Sequence, residues 1–372
     1  MRRLTPLAVA VTTTVATATA TLGILAPTAS TATAATTHSQ ASAHPQVSAA
    51  WDRAPHLPPY VFAPYFETYD TTDGGLAHLS AKSGAQYLSL GFLQTDKPGS
   101  CTAYWNGDRS TPISATGRGS FGADISAIQW AGGTVIPSFG GHDADTTDTD
   151  LADSCTSVDA IAEVFKRLVL TYHVTRIDLD VEGDSLTNAA GIERRNDAIA
   201  RTERWADCHH RTVQFDYTLP ALPTGLTASG LAVLKDAVTV HARITEVNIM
   251  TFDYHLCTCQ DMLADTEQAA AATEDQLWAL YRHKSDWALW HMIGVTVMPG
   301  IDDYGTPETF TTADARALLR WADDEGVGLL SMWALQRDNG DCPGTKGAGN
   351  CSGVTQPDWY FSHTFERFTS WP

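Results

Sequence analysis

The stretch TRIDLDVEGDSL, Thr175 to Leu186, spaces Asp178, Asp180 and Glu182 two residues apart, with Ile177, Leu179 and Val181 filling the gaps. A helix would scatter these acids around its axis. A strand puts all three on one face and the aliphatics on the other. A strand of a parallel barrel is covered by helices outside, so its acidic face points inward, where carboxylates are costly to bury without a task.

The surroundings repeat the same design. Short β-branched or aromatic runs stand at 60–66 (YVFAPYF), 86–92, 133–139 (GTVIPSF) and 175–182, then at 211–219, 246–254, 292–299 and 327–335. Amphipathic, Ala-rich segments such as SVDAIAEVFKRLVLTY and TADARALLRWADDEG lie between them, the second closed by Gly326 at a helix C-cap position. Eight strands alternating with helices predict an α/β fold, a (β/α)8 TIM barrel in a single catalytic domain over residues 58–372. Chemistry in such barrels sits at the C-terminal ends of the strands. Polar residues gather at those ends here: Glu67, the SFGGHDAD segment, Glu182, Asp253 with Tyr254, and Trp333 before LQRDNG.

The 372 residues hold 24 Lys+Arg against 43 Asp+Glu, a formal charge of −19. So acidic a surface repels nucleic acid and anionic membranes, and neither is expected as a partner. Arg2 and Arg3, a mildly apolar stretch and the small-residue ATA at Ala32–Ala34 read as an export leader over 1–34, followed by a disordered spacer over 35–57. The product is then a secreted, extracellular chain. Its seven cysteines suit an oxidising compartment. Cys342 and Cys351 bracket a Gly-rich loop as a local staple, and Cys101 and Cys155 are placed to tie adjacent loops. A metal site at His255, Cys257 and Cys259 lacks a second ligand pair, and neither metal nor cofactor is expected.

The residues also carry a resemblance. DLDVE is similar to the core of the D-x-x-D-x-D-x-E signature of family 18 glycoside hydrolases, the chitinases. SFGG (Ser138–Gly141) resembles the S-x-G-G of that family's third strand, MTFD (Met250–Asp253) its M-x-Y-D, and Trp333 the tryptophan flooring its sugar site. The resemblance covers roughly residues 58 to 370. It implies Glu182, Asp180 and Asp178 as catalytic residues. It also implies a substrate-binding set of Tyr65, Ser138, Gly140, Gly141, Tyr217, Met250, Asp253, Tyr254, Trp333 and Gln336. The substrate it implies is chitin or an N-acetylglucosamine oligosaccharide, acted on by a monomer. Two positions depart from the pattern: Thr175 stands for the first Asp, and Phe252 for the Tyr before Asp253, whose hydroxyl Tyr254 or Tyr217 could replace.

Successive inward carboxylates on a strand lie about 6–7 Å apart, so they cannot all ionise and at least one keeps a proton. Glu182, at the strand mouth, is the natural general acid. Asp180 stands beside it rather than across the scissile bond, unlike the nucleophile of a two-carboxylate retaining site. What the resemblance implies instead is substrate assistance: the sugar's own acetamido oxygen attacks. A cation held by the three acids, calcium in the loop 142–150, an endo-β-N-acetylglucosaminidase of N-glycans, and a glycan-binding barrel with little turnover are the rival readings. Trp105 reads equally as a distal sugar platform or as a loop anchor.

Overall fold

The computed structural model describes residues 56–369 apart from 118, 257 and 258, within the compact unit Val47–Pro372. The expected leader, and nearly all of the expected spacer, lie outside the described residues. Nine parallel strands form the barrel: β1 Val61–Phe62, β2 Tyr65–Glu67, β3 Tyr87–Thr95, β4 Thr134–Gly140, β5 Arg176–Asp180, β6 Gln214–Leu222, β7 Ile244–Met250, β8 Ile293–Val297 and β9 Leu329–Met332. They pair in sequence order, and the barrel closes because β1 pairs with β9 while β2 pairs with β3. The first predicted strand is therefore two. Pro64 has no N–H to donate, and the ladder changes partner there: Ala63 N–H reaches Leu330 O (2.9 Å), while Pro64 O accepts from Ser89 N–H (3.0 Å).

The connecting helices follow from local chemistry. The helix Val158–Tyr172 starts at Ser157, whose side chain accepts the Ala160 N–H, and it buries Ile161, Phe165, Leu168 and Val169 against the sheet. Thr311 and Asp314 form a reciprocal capping box ahead of Thr312–Glu325, which ends at Gly326 with φ 83°. Among the described residues no helix is long and apolar enough to cross a membrane. Disulfides join Cys101 to Cys155 and Cys342 to Cys351. Cys208 and Cys259 are free and exposed, and Cys257, part of the weighed metal site, lies outside the described residues.

Strand alternation and register stack the inward side chains in layers. At the bottom Arg176 meets Glu246 (Nη1–Oε2, 2.6 Å) and Asp216 (Nε–Oδ2, 3.4 Å), all buried. Asp178 pairs in register with Ser138 on one side and Asp216 on the other, and Asp180 with Gly140 and Thr218. Thr175 does not occupy the deepest inward position. Alternation turns it away from the face that carries Arg176 and Asp178, and Arg176 fills that layer instead.

Candidate active site

Above the ionic layer, Asp178 is wholly enclosed by hydroxyl donors. Ser138 Oγ (2.5 Å) and Tyr65 Oη (2.8 Å) donate to Oδ2, and Thr218 Oγ1 (2.8 Å) donates to Oδ1. Asn248 and Thr296 extend this network across β7 and β8. Burial raises the proton affinity of Asp178, and the three hydroxyls oppose it. Asp180, one layer higher, has burial and the charges of Glu182, Asp178 and Asp145 all pushing its pKa well up. Its Oδ1 is buried and has no hydrogen-bond partner.

Glu182 follows β5 in extended conformation (φ −132°, ψ −172°), which keeps it on the inward face before the turn Gly183–Leu186. Its backbone N–H donates to Asp145 Oδ2. Burial raises the Glu182 pKa, His142 lowers it and the charge of Asp253 raises it. Two glycines make room for this strand end. A Cβ on Gly140, at φ 98°, would lie 2.0 Å from Asp180 O; one on Gly141, at φ 82°, would lie 2.5 Å from the Phe92 ring.

A cleft of about 720 Å³ opens over these residues at the C-terminal end of the barrel. Tyr65, Gly140, Asp180, Glu182, Met250, Asp253 and Trp333 line it. Trp333 stacks on Phe92 (centroids 5.4 Å, 14° apart) and tilts against Tyr65 (5.5 Å). The other expected site residues stand elsewhere. Asp178 and Ser138 lie beneath the floor, and Gly141 gives its N–H to Asp180 O (3.0 Å). Gln336 holds the Glu67 backbone at both ends, accepting from its N–H (3.2 Å) and donating to its carbonyl (3.0 Å).

Tyr217 and Tyr254 are not in the cleft, so neither replaces the hydroxyl missing at Phe252. Tyr217 occupies an odd position on β6, opposite in sense to Asp216 and Thr218, and its buried hydroxyl donates to Asn196 Oδ1 (2.7 Å) on the helix Ala189–Cys208. Tyr254 is buried behind a turn in which Asp253 adopts φ 50°, and its N–H donates to Glu308 Oε2 (2.7 Å). Trp105 is the loop anchor, fully buried with Nε1 donating to Tyr172 Oη (3.1 Å). Most of the segment 142–150 is exposed, at His142, Asp143, Thr146, Thr147 and Asp148, but two of its acids are not. Buried Asp145 holds the Glu182 backbone, and buried Asp150 pairs with Arg195 (2.6 Å).

Several cleft residues lie outside the expected catalytic and substrate-binding sets: Glu67, Tyr69, Phe92, His142 and Arg337 among them. Glu67 was visible as an acid closing the first strand, but nothing in sequence ties Tyr69 Oη to its Oε1 (2.5 Å). Asp253, Asp302 and Glu308 bring carboxylate oxygens within 4.8 Å of one another. Each of these carboxylates already accepts backbone N–H groups, which is turn construction rather than a ligand shell.

No protein-family model matches the chain. Two curated proteins do resemble it. A probable bifunctional chitinase/lysozyme of Escherichia coli (strain K12) is 31% identical over 328 residues, 84% of this chain and 35% of that protein. Endochitinase 11 of Metarhizium anisopliae is 32% identical over 292 residues, 76% of this chain and 53% of that protein. The chain thus spans about a third and about a half of these relatives. The catalytic domain of a hyperthermophilic chitinase from Pyrococcus furiosus superposes with TM-score 0.74 at 28% identity, over 86% of this chain and 98% of that one. Catalytic-site mutants of active domain 2 of a thermostable chitinase from the same organism, complexed with chito-oligosaccharides, superpose with TM-score 0.74 at 27% identity, over 86% and 97%. With its layered acids under an aromatic-floored cleft, the chain has the barrel fold of the family 18 chitinases.

Proposed function

We propose that the chain hydrolyses β-1,4 linkages between N-acetylglucosamine units, using the substrate's acetamido group as nucleophile. The observation that carries this reading is Asp180 Oδ1, buried and unpartnered beneath Glu182 in a cleft floored by Trp333. A buried acceptor without a donor is costly, and a substrate N–H relieves that cost on binding. Protonated Glu182 donates to the glycosidic oxygen as the bond to the anomeric carbon breaks. The acetamido carbonyl oxygen forms the new bond to that carbon, giving a cyclic oxazolinium ion. Asp180 accepts its N–H and faces its positive charge, while Asp178, held by Ser138, Tyr65 and Thr218, tunes the proton affinity of Asp180 upward from below. Water, deprotonated by Glu182, then opens the ring and restores the acetamide.

Two inversions at the anomeric carbon give net retention, and this family is an exception to the two-carboxylate scheme. The binding of chito-oligosaccharides by the related archaeal domain supports the substrate class. The leader expected over 1–34 and the two disulfides support an exported enzyme working outside the cell. Following the early anomers from chito-oligosaccharides by NMR tests the mechanism. The β-anomer is expected first; α-first product would overturn it, and the absence of new reducing ends would leave a binding barrel.

A further inference from the structure

Beyond the reacting groups, one buried feature stands out: two carboxylates that accept backbone N–H groups of the loop carrying Asp253. Asp302 and Glu308 are about 1% and 0% exposed. Asp302 Oδ2 accepts the Asp253 N–H (3.0 Å), and Glu308 accepts those of Tyr254 (2.7 Å) and Leu256 (3.2 Å). In return Asp253 Oδ1 accepts the N–H groups of Asp303 (3.1 Å) and Tyr304 (3.2 Å). Asp302 Oδ1 closes its own turn on Gly305 N–H (3.1 Å).

The clamp holds an unfavourable backbone. Asp253 and His255 both sit in the left-handed region, at φ 50° and 55°. Such residues cost of order 1–3 kcal/mol each and persist where the surroundings over-determine them. The arrangement aims one side chain: Asp253 lines the cleft with Glu182, whereas Asp302 and Glu308 do not.

We propose that Asp302 and Glu308 are positioning residues for the general acid, acting through Asp253, whose carboxylate they hold on the cleft wall with Glu182. The inference rests on the role proposed for Glu182 above. The charge of Asp253 is one of the influences that raise the Glu182 pKa, so moving Asp253 away lowers it. The clamp is itself acid-sensitive. Burial pushes Asp302 to about 7, the backbone donors of Asp253 and Gly305 oppose that, and Asp253 and the contact with Glu308 add to it. The other charged or titratable groups facing the cluster are Asp265 from the helix Met262–Leu280, Asp303 and Tyr254 from the two loops, His255 beside Asp253, and Arg337 after β9.

The test compares Asp302→Asn, Glu308→Gln, Asp253→Asn and the Asp302→Asn/Asp253→Asn double variant in the full chain. We expect kcat/KM on chito-oligosaccharides to fall about 10-fold or more in either clamp variant, the effect of losing a charged hydrogen-bond acceptor. The alkaline limb of the pH profile should move to lower pH, as it does in Asp253→Asn, and the double variant should move it no further. A merely structural role would lower the thermal midpoint and leave that limb in place; this outcome overturns the proposal. So does additive behaviour in the double variant, and so does stabilisation by calcium alone, which would make the carboxylates ligands. Glu308→Gln keeps an acceptor oxygen, so the question stays answerable if Asp302→Asn does not fold. Should the wild type release no reducing ends, the role of Glu182 falls. Amide hydrogen exchange at Asp253–Leu256, faster in the clamp variants, still reads the clamp.

Discussion

At the residue scale the acids differ by environment rather than by type. Asp178 lies under three hydroxyl donors, Asp180 keeps a bare oxygen and Glu182 stands at the mouth, which in the mechanism we propose makes them support, acceptor and proton donor. Replacing Glu182 by Gln keeps the shape and removes the proton, so turnover should drop at least about 100-fold while oligosaccharide binding by calorimetry survives. Near-wild-type hydrolysis by that variant would remove Glu182 from the mechanism. Asp253 gives a second test with a definite sign. Its negative charge opposes ionisation of Glu182 and raises that pKa, so Asp253→Asn should lower it. The protonated acid is then lost sooner as pH rises, and the alkaline limb of kcat/KM shifts to lower pH. An unmoved limb would mean that the two groups do not sense each other.

At the element scale, what matters is how closely β4 passes β5. The Gly140 backbone takes φ 98° directly against the Asp180 carbonyl, in a register that pairs Gly140 with Asp180. Ala at this position brings a Cβ within 2.0 Å of that oxygen. Relief requires β4 and β5 to part, so Gly140→Ala should cost at least about 1–3 kcal/mol and disturb Asp180 with it. Urea unfolding measures the first effect and kcat the second; a stable and fully active variant would show that the strands can spread freely. The same scale explains Phe252. The main chain turns left-handed immediately after it, so the neighbouring Tyr254 is carried behind the wall and cannot substitute for a cleft hydroxyl.

At the scale of the whole molecule, the barrel interior is polar and proton-rich. Burial holds the carboxyls of Glu67, Glu246 and Asp302 at about 7, well above their ordinary range. Between about pH 4 and 7 the folded chain therefore binds more protons than the unfolded one, and stability falls as pH rises through that window. The net charge of −19 acts in the same direction, since acidification reduces self-repulsion. The thermal midpoint should be higher near pH 5 than near pH 8, read by calorimetry without substrate. A midpoint that rises across this range would mean these groups ionise normally inside the fold.

The sequence by itself determined the barrel, because hydrophobic periodicity is local: period two in DLDVE and the flanking runs, and 3.6 in the capped helices between them. It also determined which face of β5 carries the acids, since alternation follows from the chain alone. What only the tertiary structure decided is which neighbours those acids meet. Inward position at Tyr65 and outward position at Tyr217 look alike along the chain, yet one hydroxyl reaches Asp178 and the other Asn196. The burial of Trp105 and the clamp of Asp302 and Glu308 on the Asp253 loop join residues 49 to 67 apart in sequence, and the break at Pro64 changes partners across a closed sheet. Such contacts follow from register and loop path, which closing the barrel sets and no local pattern encodes.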